Sequence, residues 1–372
     1  MPPGFGRLRF SYAASICRYS SIVQQIPPSN AELAQMLARR VEQSSGIRVR
    51  AFARAARSAF LWPERAAALA AAGRPLTESH EVGPFIARQM LEWIEDSARP
   101  RLTTPAIRRD FLTRADARCI LAACPEWSAQ LRGDLQMHTL WSDGSGSILQ
   151  MAQAATERHY EYIAITDHSK GLKIAGGIDE AALAKQAVEI AETNETLRGS
   201  GLTVLRSIEM NLNSRGEGDM DRKALARLDL VLGAFHSSLR TKEDQTERYV
   251  AALRTPAIQI LGHRRGRIYN YRLGLKTDWP RVFAEAAKRD KAVEIDSYPD
   301  RQDLSAALLK IAREAGARIS LGTDSHHPEQ LDFIELGLAA ALKAKIPADR
   351  ILNFMPLVDL KRWVKRVRAR SR

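Results

Sequence analysis

Residues 133–144 read GDLQMHTLWSDG, and this stretch decides how the second half of the chain is interpreted. It places Asp134, Gln136, His138 and Asp143 close together, at a point where a strand gives way to a loop. Polar side chains of these types at a strand end indicate a functional site more readily than they indicate packing.

Six further apolar runs follow, separated by amphipathic helical segments. They read YEYIAITDHS, TVLRSIEMN, DLVLGAFHSS, IQILGHRRGR, KAVEIDSY and ARISLGTDSHH. Seven strand-like runs with helices between them predict an α/β, barrel-like domain. Each run ends in or just before His, Asp or Glu, and the C-terminal ends of parallel strands meet at one mouth of a (β/α) barrel. We therefore expect these distant residues to be neighbours.

The residues gathered in this way are the types that hold Zn, Mn or Fe. The candidate metal ligands are Gln136, His138, Asp143, His168, Glu209, His236, His263, Asp324 and His326. Any one of them alone is more typical of ordinary structure. Together they are hard to explain by packing, because an unpartnered buried ionisable group costs several kcal/mol. The set exceeds what one ion can use, so it predicts two or three divalent ions.

In order and spacing, GDLQMHTLWSDG, ITDHS, SIEMN, AFHSS, GHRRGR and LGTDSHH resemble the motifs of the PHP (polymerase and histidinol phosphatase) family, from about Gly133 to Leu360. The nearest resemblance is to the PHP domain attached to bacterial family X DNA polymerases. It implies a distorted (β/α)7 barrel, a trinuclear metal site and hydrolysis of phosphoesters.

The resemblance also implies how the ligands divide among the ions. It implies one ion at His138, Glu209, Asp324 and position 136, a second at Asp143, His168 and His326, and a third at His236 and His263 with Glu209 bridging. The sequence departs from the usual family pattern at Gln136, where a His is common. An amide oxygen is a weaker, neutral ligand, which puts full occupancy of the first site in question.

Adjacent cations would lower the pKa of a shared water, so that hydroxide attacks phosphorus in line at neutral pH. Lys170 and Arg267 lie beside ligand motifs and are candidates for holding the phosphoryl oxygens, although each could instead be a solvated basic residue. Asp134 is a further candidate of the active centre, as a partner that orients a ligand or as a ligand itself.

The chain is predicted to have three parts: a disordered basic tail over 1–28, a helical unit over 29–130 and the metal-dependent barrel over 131–372. The tail lacks acidic residues and also resembles a transit peptide in composition. Ser29 and Asn30 can cap a helix that runs through AELAQMLARRVEQSSG.

The helical unit resembles the small N-terminal domain of family X polymerases, and LTESHEVGPFIARQMLEWIE resembles its helix-hairpin-helix. Such a hairpin offers backbone amides to a DNA phosphate, so Val82, Gly83 and Arg88 are candidate DNA contacts. Glu81 replaces the second usual glycine, and a purely structural hairpin is an open alternative. With no Lys before Lys170, this unit cannot form a Schiff base with abasic sugar, and the chain lacks a polymerase palm and fingers.

Composition favours a soluble, cytoplasmic protein that meets polyanions. The net charge of +13 points to nucleic acid as a partner, although basic surfaces also occur without one. No apolar run approaches the length of a membrane span. The three cysteines form no metal motif, which favours a reducing compartment.

Three functions are compatible with the sequence. The first is a metal-dependent phosphoesterase on DNA, acting as an exonuclease or processing 3′ ends or abasic sites. The second is a phosphatase for a small phosphate ester such as histidinol phosphate, whose turnover excess DNA would not inhibit. The third is a non-catalytic DNA-binding module, which would hold fewer than two metal ions per chain.

Overall fold

The computed structural model describes residues 26–96, 102–262 and 265–370, so most of the predicted tail lies outside the described residues. Six helices fill the first part: α1 (Asn30–Gln43), α2 (Ile47–Ser58), α3 (Ala66–Ala71), α4 (Pro84–Glu95), α5 (Arg114–Ala122) and α6 (Pro125–Ser128). Short 3₁₀ turns lie at Leu76–Glu78 and Ala106–Arg108. None of the described helices, here or later in the chain, is both long and apolar enough to cross a membrane.

The start of α1 depends on a reciprocal cap. The Ser29 hydroxyl accepts the Glu32 N–H, and the Glu32 carboxylate accepts the Ser29 N–H at 2.8 Å, which satisfies two free amides of the first turn. Asn30 has a different role from the predicted cap. It is fully buried, and its side chain bonds Glu64 O at 2.8 Å and Ala66 N at 2.9 Å, which fixes the beginning of α3 against α1.

The helical part has its own hydrophobic core. Leu33, Leu37, Phe52, Trp62 and Met90 are buried together, and this cluster extends as far along the chain as Phe111. Beyond it, Ala117, Leu121 and Trp127 belong to the core of the following barrel. Helices α5 and α6 thus pack on the barrel rather than on the preceding helices.

All eight strands of the second part pair in parallel. They are β1 (Gly133–Met137), β2 (Tyr162–Ile165), β3 (Thr203–Arg206), β4 (Glu209–Asn211), β5 (Leu232–Ala234), β6 (Ile260–Leu261), β7 (Ala292–Asp296) and β8 (Arg318–Gly322). The helices around them are α7 (Ile148–Glu157), α8 (Glu180–Thr196), α9 (Arg222–Leu225), α10 (Thr246–Arg254), α11 (Trp279–Lys288), α12 (Ala306–Glu314), α13 (Ile334–Lys343) and α14 (Leu357–Arg370). Further 3₁₀ turns are Lys173–Ala175, Pro328–Phe333, Ala348–Arg350 and Leu352–Phe354.

The strands form two sheets, in the orders β1-β2-β3 and β4-β5-β6-β7-β8, which join at both seams. One parallel bridge pairs Met137 with Ser325, and another pairs His168 with Glu209. Strands β3 and β4 are the two halves of the predicted run TVLRSIEMN, interrupted at Ser207 and Ile208. The seven predicted runs therefore form seven strand positions of a closed, distorted α/β barrel, which confirms the predicted fold.

The opposite end of the barrel is closed by the C-terminal helix. Helix α14 carries the basic run that ends the chain, but its Trp363, Val364 and Val367 are buried against residues that point into the barrel, such as Leu135 and Tyr162. Among the described residues, this helix covers the N-terminal ends of the strands, at the opposite end from the predicted ligands.

Asn353 fastens the seam between β1 and β8. Its fully buried amide donates to Gly133 O at 2.8 Å and to Leu321 O at 2.9 Å, and its side-chain oxygen accepts the Leu321 N–H at 2.7 Å. Because strand ends at this seam carry His138 and Asp324, the seam also sets the geometry of the mouth.

We expect Asn353→Ala to lower the free energy of unfolding by about 3 kcal/mol or more, because three buried backbone groups lose their partner at roughly 1–3 kcal/mol each. Urea unfolding followed by circular dichroism measures the change. Gln130→Ala, which removes an exposed side chain with one local hydrogen bond, is the matched control. Equal stabilities of the two variants would contradict this role of Asn353.

Lys291, just before β7, is fully buried and donates to Thr255 O at 2.6 Å. Burial, with a contribution from Arg289, lowers the pKa of its amine to about 7. An unfolded chain holds that proton up to a pKa of about 10.4. Between these values the unfolded state binds more protons, so the contribution of Lys291 to stability rises with pH.

We therefore expect the wild-type free energy of unfolding to rise more between pH 7 and about 9.5 than that of Lys291→Met, which has no amine to titrate. Urea unfolding at the two pH values gives both differences. Lys288→Met, an exposed change on α11, should behave like the wild type. An identical rise in Lys291→Met would rule out the buried titration.

Candidate metal centre

Eight of the nine predicted metal ligands lie at the C-terminal mouth of the barrel. His138 follows β1, His168 follows β2, Glu209 begins β4, and His236 follows β5. Gln136 lies within β1, Asp143 lies in the loop after β1, and Asp324 and His326 lie in the loop after β8. The ninth, His263, lies outside the described residues.

Ligand-competent atoms of these residues form three overlapping groups in which all atoms lie within 4.8 Å of one another. The groups are His138, Glu209 and Asp324; His138, Asp143, His168 and His326; and His168, Glu209 and His236. His138 and His168 each belong to two groups, and so does Glu209. This overlap is the arrangement expected of a cluster of neighbouring ions rather than of separate sites.

The first group is the most deeply buried. His138 Nε2 lies 3.0 Å from Asp324 Oδ1 and 3.3 Å from Glu209 Oε2, and the three side chains are at most 1% exposed. The Gln136 amide donates to Glu209 Oε2 at 2.9 Å. Gln136 is thus inside the cluster, but its nitrogen faces the carboxylate in this structure.

Asp324 has a φ of 54°. This left-handed backbone is uncommon outside glycine, though Asp tolerates it better than most residues. Its N–H bonds Gln136 O at 3.1 Å, which ties the loop after β8 to β1. A strained residue held by its surroundings is a frequent feature of functional sites.

The second group surrounds Asp143, which the loop after β1 carries to the surface of the mouth. Asp143 Oδ1 lies 3.4 Å from His326 Nε2, 3.6 Å from His168 Nε2 and 3.9 Å from His138 Nδ1. The His138 ring is stacked between those of His168 and His326, with centroids 4.4 and 4.5 Å apart. One carboxylate thus faces three imidazoles.

The third group joins β4 to the loop after β5. His236 Nε2 lies 2.8 Å from Glu209 Oε1, while His168 Nδ1 lies 3.7 Å from Glu209 Oε2. Glu209 Oε2 also lies 3.3 Å from His138 Nε2 of the first group, so the carboxylate is shared between the first and third groups. This is the bridging position that the family resemblance implies for Glu209.

Two of the imidazoles are oriented by acceptors behind them. His236 Nδ1 lies 3.1 Å from Asn211 Oδ1, and His326 Nδ1 lies 2.7 Å from the Asp324 carbonyl. When each Nδ1 donates its proton, each Nε2 offers a lone pair to the centre of the mouth. The sequence analysis did not identify Asn211, although it ends the SIEMN run. It acts on His236, which follows a different strand, and no sequence spacing indicates that contact.

The ionisation of the cluster suits metal binding. Burial lowers the pKa of His168 to about 3 and lowers that of His326 as well. Burial alone would raise the pKa of Asp143, but His326, His138 and His168 together hold it below its ordinary value. His168 and His326 are therefore neutral and Asp143 is ionised at neutral pH, which are the forms that bind metal.

The buried polar atoms also fit a metal cluster. Within the described residues, the Nδ1 atoms of His138 and His168 are buried and have no hydrogen-bond partner. Such an atom is costly unless something else occupies its lone pair or binds its proton. Imidazole nitrogens with carboxylate oxygens form the donor set of Zn, Mn or Fe, so these residues fit the ions that the sequence implied.

Asp134 belongs to none of the three ligand groups. Its fully buried carboxylate accepts the backbone N–H groups of Gln136 at 3.1 Å and Thr323 at 3.2 Å, and also the Thr323 hydroxyl. It therefore fastens β1 to the end of β8, which agrees with the orienting alternative, and its part in the active centre stays a prediction. Burial raises its pKa to about 7.

Lys170 and Arg267, predicted to hold phosphate, are engaged elsewhere. Lys170 forms an exposed ion pair with Glu180 at 2.7 Å. Arg267 lines the cavity at the mouth, but its guanidinium lies over Phe111 and donates to the Arg109 and Asp110 carbonyls. Arg267 thereby attaches the segment before α5 to the barrel, and phosphate binding by Lys170 or Arg267 stays a prediction.

A basic side chain that the sequence analysis did not single out, Arg301, lies beside the ligand groups, where a phosphate-binding residue was expected. Arg301, in the loop after β7, forms an ion pair with Asp324 and lies 3.8 Å from Asp296 Oδ2. Its side chain is 32% exposed and lines a cavity of about 210 Å³ together with Asp143, His168, His236 and His326. No motif marks Arg301, because it follows its strand by several residues.

The predicted DNA hairpin has fewer free amides than the motif requires. Gly83 is the N-cap of α4, and the first residue of the helix is Pro84, which has no N–H. Val82 is buried and its N–H bonds Ser79 O at 3.1 Å, while Arg88 is exposed. Glu81 forms an ion pair with Arg54 at 3.0 Å. These contacts favour the structural alternative, and DNA binding by this hairpin stays a prediction.

Comparison with known proteins agrees with this geometry. Residues 134–317 match the family model described as the PHP domain. The chain is 36% identical over 238 residues to DNA polymerase/3′-5′ exonuclease PolX of Bacillus subtilis, which covers 64% of this chain and 41% of that protein. It is 28% identical to the probable phosphatase YcdX of Escherichia coli, over 60% of this chain and 90% of that protein. The chain thus spans less than half the length of the Bacillus protein.

A solved structure is also similar. It is the crystal structure of histidinol phosphate phosphatase from Lactococcus lactis complexed with zinc, L-histidinol and phosphate, with 16% identity and a TM-score of 0.42. The match covers 57% of this chain and 93% of that one.

We expect divalent zinc or manganese to raise the melting temperature of chelator-treated wild-type protein, because ions that bind only the folded state stabilise it. Glu209→Gln should lose most of this rise, since Glu209 belongs to two of the three groups. Glu180→Gln, outside the groups, is the matched control. An undiminished rise in Glu209→Gln would show that the ions bind elsewhere.

Proposed function

Because this chain belongs to the PHP domain family of metal-dependent phosphoesterases, we propose that it hydrolyses phosphoester bonds of DNA, as an exonuclease or in processing a 3′ end or an abasic site. The observation that carries this proposal is the set of three overlapping ligand groups at one mouth of the barrel. Among the described residues, the cavity lined by Asp143, His168, His236 and His326 is a place where a phosphate could enter.

The ligand groups would hold two or three divalent ions, with Zn, Mn and Fe as the candidates. Bound there, such ions supply Lewis acidity that lowers the pKa of water and neutralises phosphoryl charge. The protein supplies the fixed positions. Glu209 is shared between two groups, and Asn211 and the Asp324 carbonyl hold His236 and His326 in the orientation that presents Nε2.

Arg301 is the residue we assign to the phosphate. Its guanidinium reaches the rim of the cluster, is partly exposed, and pairs with Asp324, a proposed ligand. Once Asp324 faces a cation, the guanidinium is free to donate to a non-bridging phosphoryl oxygen. A planar fork of donors suits such an oxygen pair.

The choice of DNA as substrate has two supports. The Bacillus relative that is 36% identical is named as a DNA polymerase and 3′-5′ exonuclease. The chain has a net charge of +13, which favours association with a polyanion. A further groove between the helical part and the barrel is lined by Arg54, Arg57 and Tyr298, and Tyr298 lies against His326 of the mouth.

A small phosphate ester is the second candidate substrate. The observation that favours it is the match to probable phosphatases, which this chain covers over 88 to 90% of their length. Competition separates the two: turnover of a small monoester should be inhibited by excess single-stranded DNA if both use one site. Turnover that DNA leaves untouched favours the phosphatase.

The direct test is degradation of 3′-labelled single-stranded and nicked DNA by metal-loaded protein. We expect wild-type protein to shorten or process these ends, and Asp324→Asn to be inactive because a buried ligand is lost. Arg198→Ala, an exposed change on the turn after α8, should match the wild type. Intact DNA ends with every metal tried would overturn the proposal for DNA.

Arg301→Ala should lower kcat/KM by about 10²-fold or more, the typical effect of removing one donor that stabilises developing charge. Initial rates on the labelled DNA and on a small monoester measure it. Arg301→Lys should recover only part, since an ammonium cannot donate in a fork. An effect below twofold in Arg301→Ala would remove Arg301 from the site.

A further inference from the structure

Beside the metal mouth, an aromatic side chain is exposed on the loop after β6. The side chain of Tyr271 is 58% exposed. The Arg240 guanidinium lies 5.2 Å from its ring centroid and that of Arg272 lies 6.0 Å away. Arg240 also donates to the Tyr271 hydroxyl. We call Leu239, Arg240, Tyr271 and Arg272 the Tyr271 rim.

The two arginines of this rim are not neutralised. Within the described parts of the chain, neither forms an ion pair with a carboxylate, and Arg272 donates instead to the Gly266 carbonyl. Burial, together with repulsion from Arg240 and Arg301, lowers the pKa of Arg272. Three guanidinium groups close enough to repel one another are stabilised when an anion lies between them.

The rim is continuous with the metal centre. His236, Leu239 and Arg272 line the cavity above the ligands and also line the adjoining open cleft that contains Arg240. A chain whose terminal phosphate enters the cavity can therefore continue over Tyr271 without leaving the surface. Tyr271 is not among the residues that line the cavity, so a small phosphate ester bound there need not contact it.

We propose that the Tyr271 rim binds the nucleotide next to the reacting phosphate of a single-stranded nucleic acid, with its base stacked on Tyr271 and its phosphate held by Arg240 and Arg272. This inference rests on the proposed function and specifies its substrate as an unpaired strand end. An aromatic ring and cations in one groove are the usual elements of single-strand binding. A base inside a duplex is already stacked and cannot use the ring.

The test uses the metal-loaded full chain and a fluorescent oligothymidylate whose last two 3′ linkages are phosphorothioates, which slow hydrolysis. Fluorescence anisotropy gives the Kd. Tyr271→Ala should weaken binding by about 10-fold, as expected for one lost stack, and Tyr271→Phe should stay within about twofold because the ring remains. Removing Arg240 and Arg272 together should also weaken binding and reduce its salt dependence by about two phosphate contacts.

Val358→Ala, an exposed apolar change on α14 at the other end of the barrel, is the control and should bind like the wild type. Tyr271→Ala should raise KM for an unmodified oligonucleotide while its turnover of a small phosphate monoester stays unchanged. If Tyr271 had only a structural role, Tyr271→Ala would change the kinetic constants for both substrates.

The outcomes separate this inference from the function beneath it. If Tyr271→Ala binds the oligonucleotide as tightly as the wild type does, the proposed role of the Tyr271 rim is wrong, even if the wild type degrades DNA. A wild type that does not bind the oligonucleotide overturns it as well. If the wild type binds, Tyr271→Ala weakens binding, and DNA ends stay intact with every metal, the rim stands and the proposed nuclease activity falls.

Discussion

The buried contact between His138, Glu209 and Asp324 is the constraint on which the rest of this structure depends. Two carboxylates share one imidazole nitrogen at 3.0 and 3.3 Å, in a region without solvent exposure. Removing charges from water costs several kcal/mol per ion unless opposite charge compensates them. Arg301 pairs with Asp324 at the edge of this contact. A cluster of cations is the compensation that the ligand types and their overlap fit best.

The contacts that close the barrel also bring these side chains together. Asn353 and Asp134 hold β1 against β8, which places His138 beside Asp324, and the bridge between His168 and Glu209 closes the other seam. Both seams therefore end in predicted ligands. Helix α14 fills the opposite end of the barrel with Trp363 and Val367, so the described ligand groups lie at the other end, the polar mouth. The contacts that close the barrel therefore also fix the positions of the predicted ligands.

What could be predicted from the sequence was the part governed by periodicity and strand ends. Seven apolar runs predicted the barrel, and the polar residues at the end of each run predicted which side chains lie together at the mouth. Roles that depend on where a long side chain reaches were not predictable. Lys170, Arg267 and Arg301 all lie in loops near ligands, and only the fold decides that Arg267 turns to the Asp110 carbonyl while Arg301 turns inward. The orienting position of Asp134 depends on Thr323, which is remote in sequence.

The most direct test of the metal cluster is anomalous X-ray diffraction from crystals grown with zinc, recorded on both sides of the zinc absorption edge. We predict two or three anomalous peaks inside the space bounded by His138, Asp143, Glu209 and His236. An anomalous map with no peak there, in crystals whose His and carboxylate side chains are ordered, would contradict the central claim.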